Sequence, residues 1–187
     1  MRTLVIHPND PSTQFLRRFY NSDSPDFMVM DERNSNSEIR NALNSDEFQR
    51  VMMLGHGYEY GLLSPQCYGS TRMFERDIIS PQHVEFLRRL ECIGIWCNAN
   101  IFADRYDLHG LFSGMVISEL SEAQDWHILV ADENEVLTHR EQWADDLSVC
   151  LRDNWTSLSQ VPEVMLNRMP QHPSHLEEFN YESVYWF

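Results

Sequence analysis

With 187 residues, the chain suits one domain, large enough to bury a core without disulfide or metal staples. Its apolar share of 42% and charged share of 23% are those of an ordinary globular protein. Its formal net charge of −15 disfavours a passive binder of nucleic acid or of an anionic membrane, since phosphates need a basic footprint. The same acidity keeps a protein soluble, and it fits a cationic substrate, a basic partner or mimicry of DNA. The apolar run near Met1 is too short for a signal peptide, and no run approaches the ~18 apolar residues that span a bilayer. Cys67, Cys92, Cys97 and Cys150 are widely spaced with no C-x-x-C pair, which points to reduced thiols and a cytoplasmic setting rather than to a disulfide framework.

In chain order, Thr3 to His7 reads as a first apolar strand. Asp10-Pro11 reads as an N-cap followed by proline at the first helical position, with Phe15, Leu16 and Phe19 on the helical face. Phe27 to Met30 is a second strand. Ser37 is placed to cap a helix through Ile39, Ala42 and Leu43. Val51-Met52-Met53-Leu54 is a buried strand that stops at Gly55-His56-Gly57. Gly61 to Asp77 reads as loop with room for a short hairpin. Ser80-Pro81 opens a helix with Val84, Leu87 and Leu90 on one face, leading into the strand Cys92 to Trp96. Phe102 to Leu111 reads as a helix or structured turn ending near Gly110. Gly114 to Ser118 and Trp126 to Val130 look strand-like, and Thr138 or His139 opens a helix with Trp143, Leu147, Cys150 and Leu151 on one stripe.

Beyond Trp155 the pattern weakens, and Pro162, Pro170 and Pro173 forbid a continuous helix. Residues 156–187 are therefore expected as an irregular segment docked on the domain through Tyr181, Val184, Tyr185, Trp186 and Phe187. Alternating strands and helices predict a single α/β domain over 1–187: a mainly parallel sheet of about six strands with helices on both faces.

The chemistry concentrates at two strand ends. His56 lies between two glycines after one apolar run, and Cys97 closes another, ahead of Asn98, Ala99 and Asn100. If those strands are parallel neighbours, both side chains lie at the sheet edge where α/β ligand crevices form. A cysteine is a useful nucleophile as the thiolate, and a nearby histidine can take its proton and later protonate a leaving amine. Gly57 leaves its N–H unobstructed for an oxyanion hole shared with the N–H of Cys97. Cys92, five residues earlier, points to the opposite face and reads as structural.

Leu54-Gly55-His56-Gly57 and Ile93-Gly94-Ile95-Trp96-Cys97-Asn98-Ala99 together resemble the caspase-like cysteine peptidases, which include caspases, metacaspases, clostripain, gingipains, separase and bacterial CHAT domains. The resemblance runs from about Thr3 to Ala123. Gly61-Leu62-Leu63 and Gly114-Met115-Val116-Ile117-Ser118-Glu119 are also similar to the CHAT-like pattern. It implies a caspase-like strand order, His56 as general base, Cys97 as nucleophile and Gly57 in the oxyanion hole, with no cofactor. The Gln-Ala-Cys-x-Gly sequence of caspases is absent and Ile95 stands where family members often carry an acidic residue, so caspase specificity is not implied.

Other constellations carry less. Cys67, His83, Cys92 and His56 have no zinc spacing, so no metal site is expected. Neither G-x-G-x-x-G nor a Walker A sequence is present. Glu119, Glu122, Asp125, Asp132, Glu133 and Glu135 form an acidic region that reads as a solvated face; if it borders the cleft, it would favour Lys or Arg in a substrate. Glu59, Asn98 and Glu119 are candidate cleft-lining residues. His7, ending the first strand, fits a turn role better than a place in the cleft. The leading expectation is a bacterial-type, cytoplasmic cysteine peptidase or peptidase-like protein acting on a protein or peptide, with a basic cleavage residue favoured. The alternatives are a non-catalytic caspase-like binding or regulatory module, and an acidic protein that mimics DNA or binds a basic partner.

Overall fold

The computed structural model describes residues 2–64 and 77–187. Six strands, β1 (Thr3–Ile6), β2 (Phe27–Met30), β3 (Arg50–Leu54), β7 (Glu91–Ile95), β8 (Gly110–Ser113) and β9 (Val184–Trp186), form the main sheet. Their order is β2-β1-β3-β7-β8-β9. Every pairing is parallel except β8 with β9, which is antiparallel. A smaller antiparallel sheet of β4 (Gly57–Tyr58), β5 (Gly61–Leu63) and β6 (Asp77–Ile79) stands beyond the end of β3.

Both faces of the main sheet are covered, which is why its central strands are continuous apolar runs rather than alternating ones. Leu4, Ile6, Val51, Met53, Cys92 and Phe112 point to one side, where α1 (Asn36–Leu43), α2 (Val84–Leu87) and α3 (Ala99–Tyr106) pack. Val5, Met52, Leu54, Ile93, Ile95 and Leu111 point to the other. There they meet a 3-10 helix (Pro11–Phe19), α5 (Glu133–Asp153) and α6 (Val161–Arg168). A third, smaller cluster joins Ile117 and Ala123, the latter in α4 (Leu120–Asp125), to Val136 and Leu176. At the foot of β3, buried Arg50 pairs with Glu91 across the ladder, donates to the Trp155 carbonyl at 2.8 Å and lies over its ring.

The expected α/β class and the mainly parallel six-stranded sheet match this architecture. Several local expectations need correction. Asp10 does cap the segment at Pro11, but the segment is a 3-10 helix. Its buried residues Thr13, Leu16 and Phe19 recur every third position, which is the 3-10 period. Ser35, not Ser37, caps α1: its hydroxyl accepts from the Glu38 N–H while Glu38 accepts from the Ser35 N–H, a Ser-x-x-Glu capping box.

The segments 114–118 and 126–130 are not strands. The N–H and carbonyl of Ile117 are satisfied by the Asn180 side chain at 2.8 and 3.0 Å instead of by a ladder, and Trp126 and Leu129 are exposed. The strand lies earlier, at β8, where a side chain at Gly110 would collide with the Cys92 backbone. Helix α5 starts at Glu133, capped by Asp132, ahead of the expected Thr138 or His139.

The segment 156–187, expected as irregular, does dock on the domain but is built from α6, α7 (His175–Tyr181) and β9. Pro162 lies in the first turn of α6, Pro170 follows its end, and Pro173 precedes the Ser174 cap of α7. The prolines thus delimit helices instead of abolishing them. Among the described residues, no helix is long and apolar enough to cross a membrane.

Candidate active site

Strands β3 and β7 are parallel neighbours in register, with Leu54 opposite Ile95. The Gly55 N–H extends that ladder to the Ile95 carbonyl at 3.1 Å. Two residues past this pair the chain delivers His56 from one strand and Cys97 from the other. Both side chains line one crevice of about 30 Å³, walled by Thr13, Leu16, Ser113, Val116, Ser118 and Trp143 among others. The sequence-predicted pair is therefore brought to one place at the carboxyl end of the sheet, where α/β crevices form.

The turn that carries Cys97 is held by its neighbours. The Ser113 hydroxyl, fully buried, accepts from the Trp96 N–H at 3.0 Å and donates to the Trp96 carbonyl at 2.9 Å. Asn98 adopts a left-handed backbone (φ 67°) ahead of α3, and its N–H donates to the Gly114 carbonyl at 3.2 Å. Trp96 packs over Gly57, where a Cβ would lie 2.1 Å from the indole Cδ1 and 2.6 Å from the Gly61 carbonyl. Its indole N–H donates to the Tyr58 carbonyl at 3.1 Å. The glycine after His56 is thus demanded by the close approach of this indole.

No hydrogen bond joins His56 to Cys97. His56 Nε2 instead lies 2.6 Å from Ser12 Oγ, which donates to Asp10 Oδ1 at 2.7 Å. Cys97 is partly buried, and its thiol is pushed up to about 12. Burial is the largest cause, followed by the Glu122 carboxylate and, more weakly, Glu119, while the Val116 N–H pulls in the opposite direction. Glu122 is held in place by the Ser118 N–H at 2.7 Å, the Ser118 hydroxyl at 3.0 Å and the Glu119 N–H at 3.1 Å. At rest the Cys97 side chain is a neutral thiol.

The other candidates fall elsewhere. Glu59 lies in the turn between β4 and β5, where its carbonyl accepts from Arg105 at 3.3 Å. Asn98 begins α3 and Glu119 begins α4, and neither they nor Glu59 line the crevice. The acidic stretch supplies helix caps, with Glu122 at α4 and Asp132 at α5. Cys92 is completely buried in the core under α2, its thiol pushed well above the ordinary range by burial. Cys150 is buried against the opposite face, and Cys67 lies outside the described residues. His7 is buried, with Nδ1 3.0 Å from the Tyr20 hydroxyl. Burial, with Arg17, pushes its pKa down to about 4. Among the described residues no group of three or more His, Cys, Asp and Glu side chains is arranged to hold a metal ion.

Sequence reasoning missed Ser12 and Ser113, and it read Glu122 only as one member of an acidic face, not as a charge acting on the Cys97 thiol. Asp10 was legible only as a helix cap, because its link to His56 runs through a contact between residues 12 and 56.

Fold and site together define an α/β protein with a mostly parallel six-stranded sheet and a His-Cys crevice at its carboxyl edge. No protein-family model matches the chain, and no curated protein matches it.

Proposed function

We propose that this protein is a caspase-like cysteine peptidase, acting inside the cell on a protein or peptide. What supports the reading is one observation: His56 and Cys97 leave adjacent parallel strands and line the same crevice. Cys97 Sγ attacks the scissile carbonyl, and the Gly57 and Cys97 amides serve as donors to the developing oxyanion. Because the Cys97 thiol is neutral at rest, His56 acts as general base during the attack rather than as half of a standing thiolate–imidazolium pair. Glu119 and Glu122 close to the thiol favour a basic residue before the scissile bond. The chemistry requires no cofactor.

A second reading, a non-catalytic caspase-like binding module, is favoured by the neutral thiol and by a crevice of about 30 Å³, too small for a substrate side chain as it stands. The test is labelling with a peptidyl chloromethyl ketone carrying Lys or Arg next to the warhead, read by mass spectrometry, alongside turnover of the matching fluorogenic peptide. The peptidase reading expects label on Cys97, lost in His56→Ala, and turnover lost in both His56→Ala and Cys97→Ala. An unlabelled Cys97 with no turnover would leave the binding module as the function.

A further inference from the structure

The proton transfer assigned to His56 leaves the contacts of Ser12 unused. The 3-10 helix follows β1, and β1 is the hydrogen-bonded neighbour of β3. That placement brings Ser12 over the end of the His56 strand. Ser12 Oγ lies 2.7 Å from Asp10 Oδ1 and 2.6 Å from His56 Nε2. The same carboxylate oxygen accepts the Ser12 N–H at 2.9 Å, so it is held against this residue twice.

A hydroxyl has one proton, and a carboxylate only accepts. The Ser12 proton is therefore directed at Asp10, and a lone pair of Oγ faces the imidazole. A second lone pair opposite it at 2.6 Å would repel, so Nε2 carries a proton and donates it to Ser12.

We infer that Asp10 and Ser12 are positioning residues that fix His56 as the Nε2–H tautomer, making Nδ1 the basic nitrogen that serves Cys97. The role of this pair in catalysis rests on the proposed peptidase function; the tautomer itself does not. As the Cys97 Sγ–carbon bond forms, the S–H bond breaks and its proton passes to Nδ1, while the carbonyl π pair moves to oxygen. The imidazolium then keeps its Nε2–H on Ser12, with the Asp10 carboxylate behind it. When the carbon–nitrogen bond breaks, Nδ1 returns the proton to the leaving amine. The competing arrangement turns the Ser12 proton to Nε2 and makes Ser12 a nucleophile, at the cost of setting an Oγ lone pair against Asp10.

The full chain labelled with ¹⁵N at histidine tests this by ring ¹H–¹⁵N correlation at pH 8. The expected result is a proton on His56 Nε2, slow enough in exchange to be seen, lost in Ser12→Ala and restored in Ser12→Thr. Chloromethyl ketone labelling of Cys97 falls about tenfold in Ser12→Ala and recovers in Ser12→Thr. A protonated Nδ1 with a bare Nε2, or a ring signal indifferent to Ser12→Ala, overturns the inference. Fluorophosphonate label on Ser12 would overturn it in favour of the serine nucleophile. If the ring behaves as expected and no peptide is cut, the peptidase reading fails and the tautomer assignment stands. If peptide is cut while Nε2 is bare, the peptidase reading stands and the tautomer assignment fails.

Discussion

Glu122 adds to burial in keeping the Cys97 thiol protonated, and it acts from outside the crevice. Its carboxylate is the largest contribution after burial to the raised thiol pKa, and three donors from Ser118 and Glu119 hold it there. Glu122→Gln removes the charge and keeps an oxygen that can accept from the same donors. With the negative charge gone the thiolate is less disfavoured, so its population at fixed pH increases. Iodoacetamide alkylation of Cys97 at pH 8, followed by mass spectrometry, is expected to rise roughly threefold to tenfold over wild type. An unchanged rate would mean that burial, with Glu119, sets the thiol without Glu122. Among single residues, His56 and Cys97 were legible because each ends an apolar run, a signal that survives in one dimension. Ser12 and Glu122 were not, because a cap and a surface acid look the same in sequence whether or not the fold aims them at a thiol or an imidazole.

Among the elements, the turn from β7 into α3 decides where Cys97 sits, and β8 holds that turn. The β7–β8 ladder ends at Gly94 opposite Phe112, and the Ser113 hydroxyl carries the pairing one step further onto Trp96. In Ser113→Ala the Trp96 carbonyl keeps the Ala99 N–H at 3.2 Å, but the Trp96 N–H loses its acceptor inside the core. An orphaned buried donor costs about 1–3 kcal/mol, and urea unfolding should show a lower midpoint with an unchanged slope. A midpoint equal to wild type would show that the Trp96 N–H finds another acceptor.

This turn also shows why β8 was misplaced by sequence. Met115, Val116 and Ile117 are apolar enough for a strand, yet Asn180 satisfies the Ile117 backbone, and no local pattern reports a partner so distant in the chain. The central strands β1, β3 and β7 were legible because burial on both faces leaves continuous apolar runs. The helices of residues 156–187 were obscured because proline was read as a breaker where it stands at helix boundaries.

The whole molecule answers acid through two opposed effects. A formal charge of −15 repels itself at neutral pH, and protonating surface carboxylates relieves that repulsion. Against this, His7 is only 4% exposed and is pushed by burial, and less by Arg17, from its ordinary value of 6.5 to about 4. His83 is lowered for the same first reason. Between those pH values the unfolded chain binds a proton at His7 that the folded chain refuses. Stability from this group is therefore complete above pH 6.5 and is lost as pH falls towards 4, by about 3 kcal/mol at the limit. Urea unfolding should give a lower stability at pH 4.5 than at pH 7.5 in the wild type. His7→Gln cannot titrate, so the difference between the two pH values should shrink by about 2–3 kcal/mol, whatever the substitution costs at pH 7.5. Because the comparison is a difference within each variant, lost contacts to Tyr20 cancel from it. An equal pH difference in His7→Gln and wild type would transfer the acid sensitivity to His83 and to the carboxylates whose pKa the fold lowers, Asp31 and Glu141.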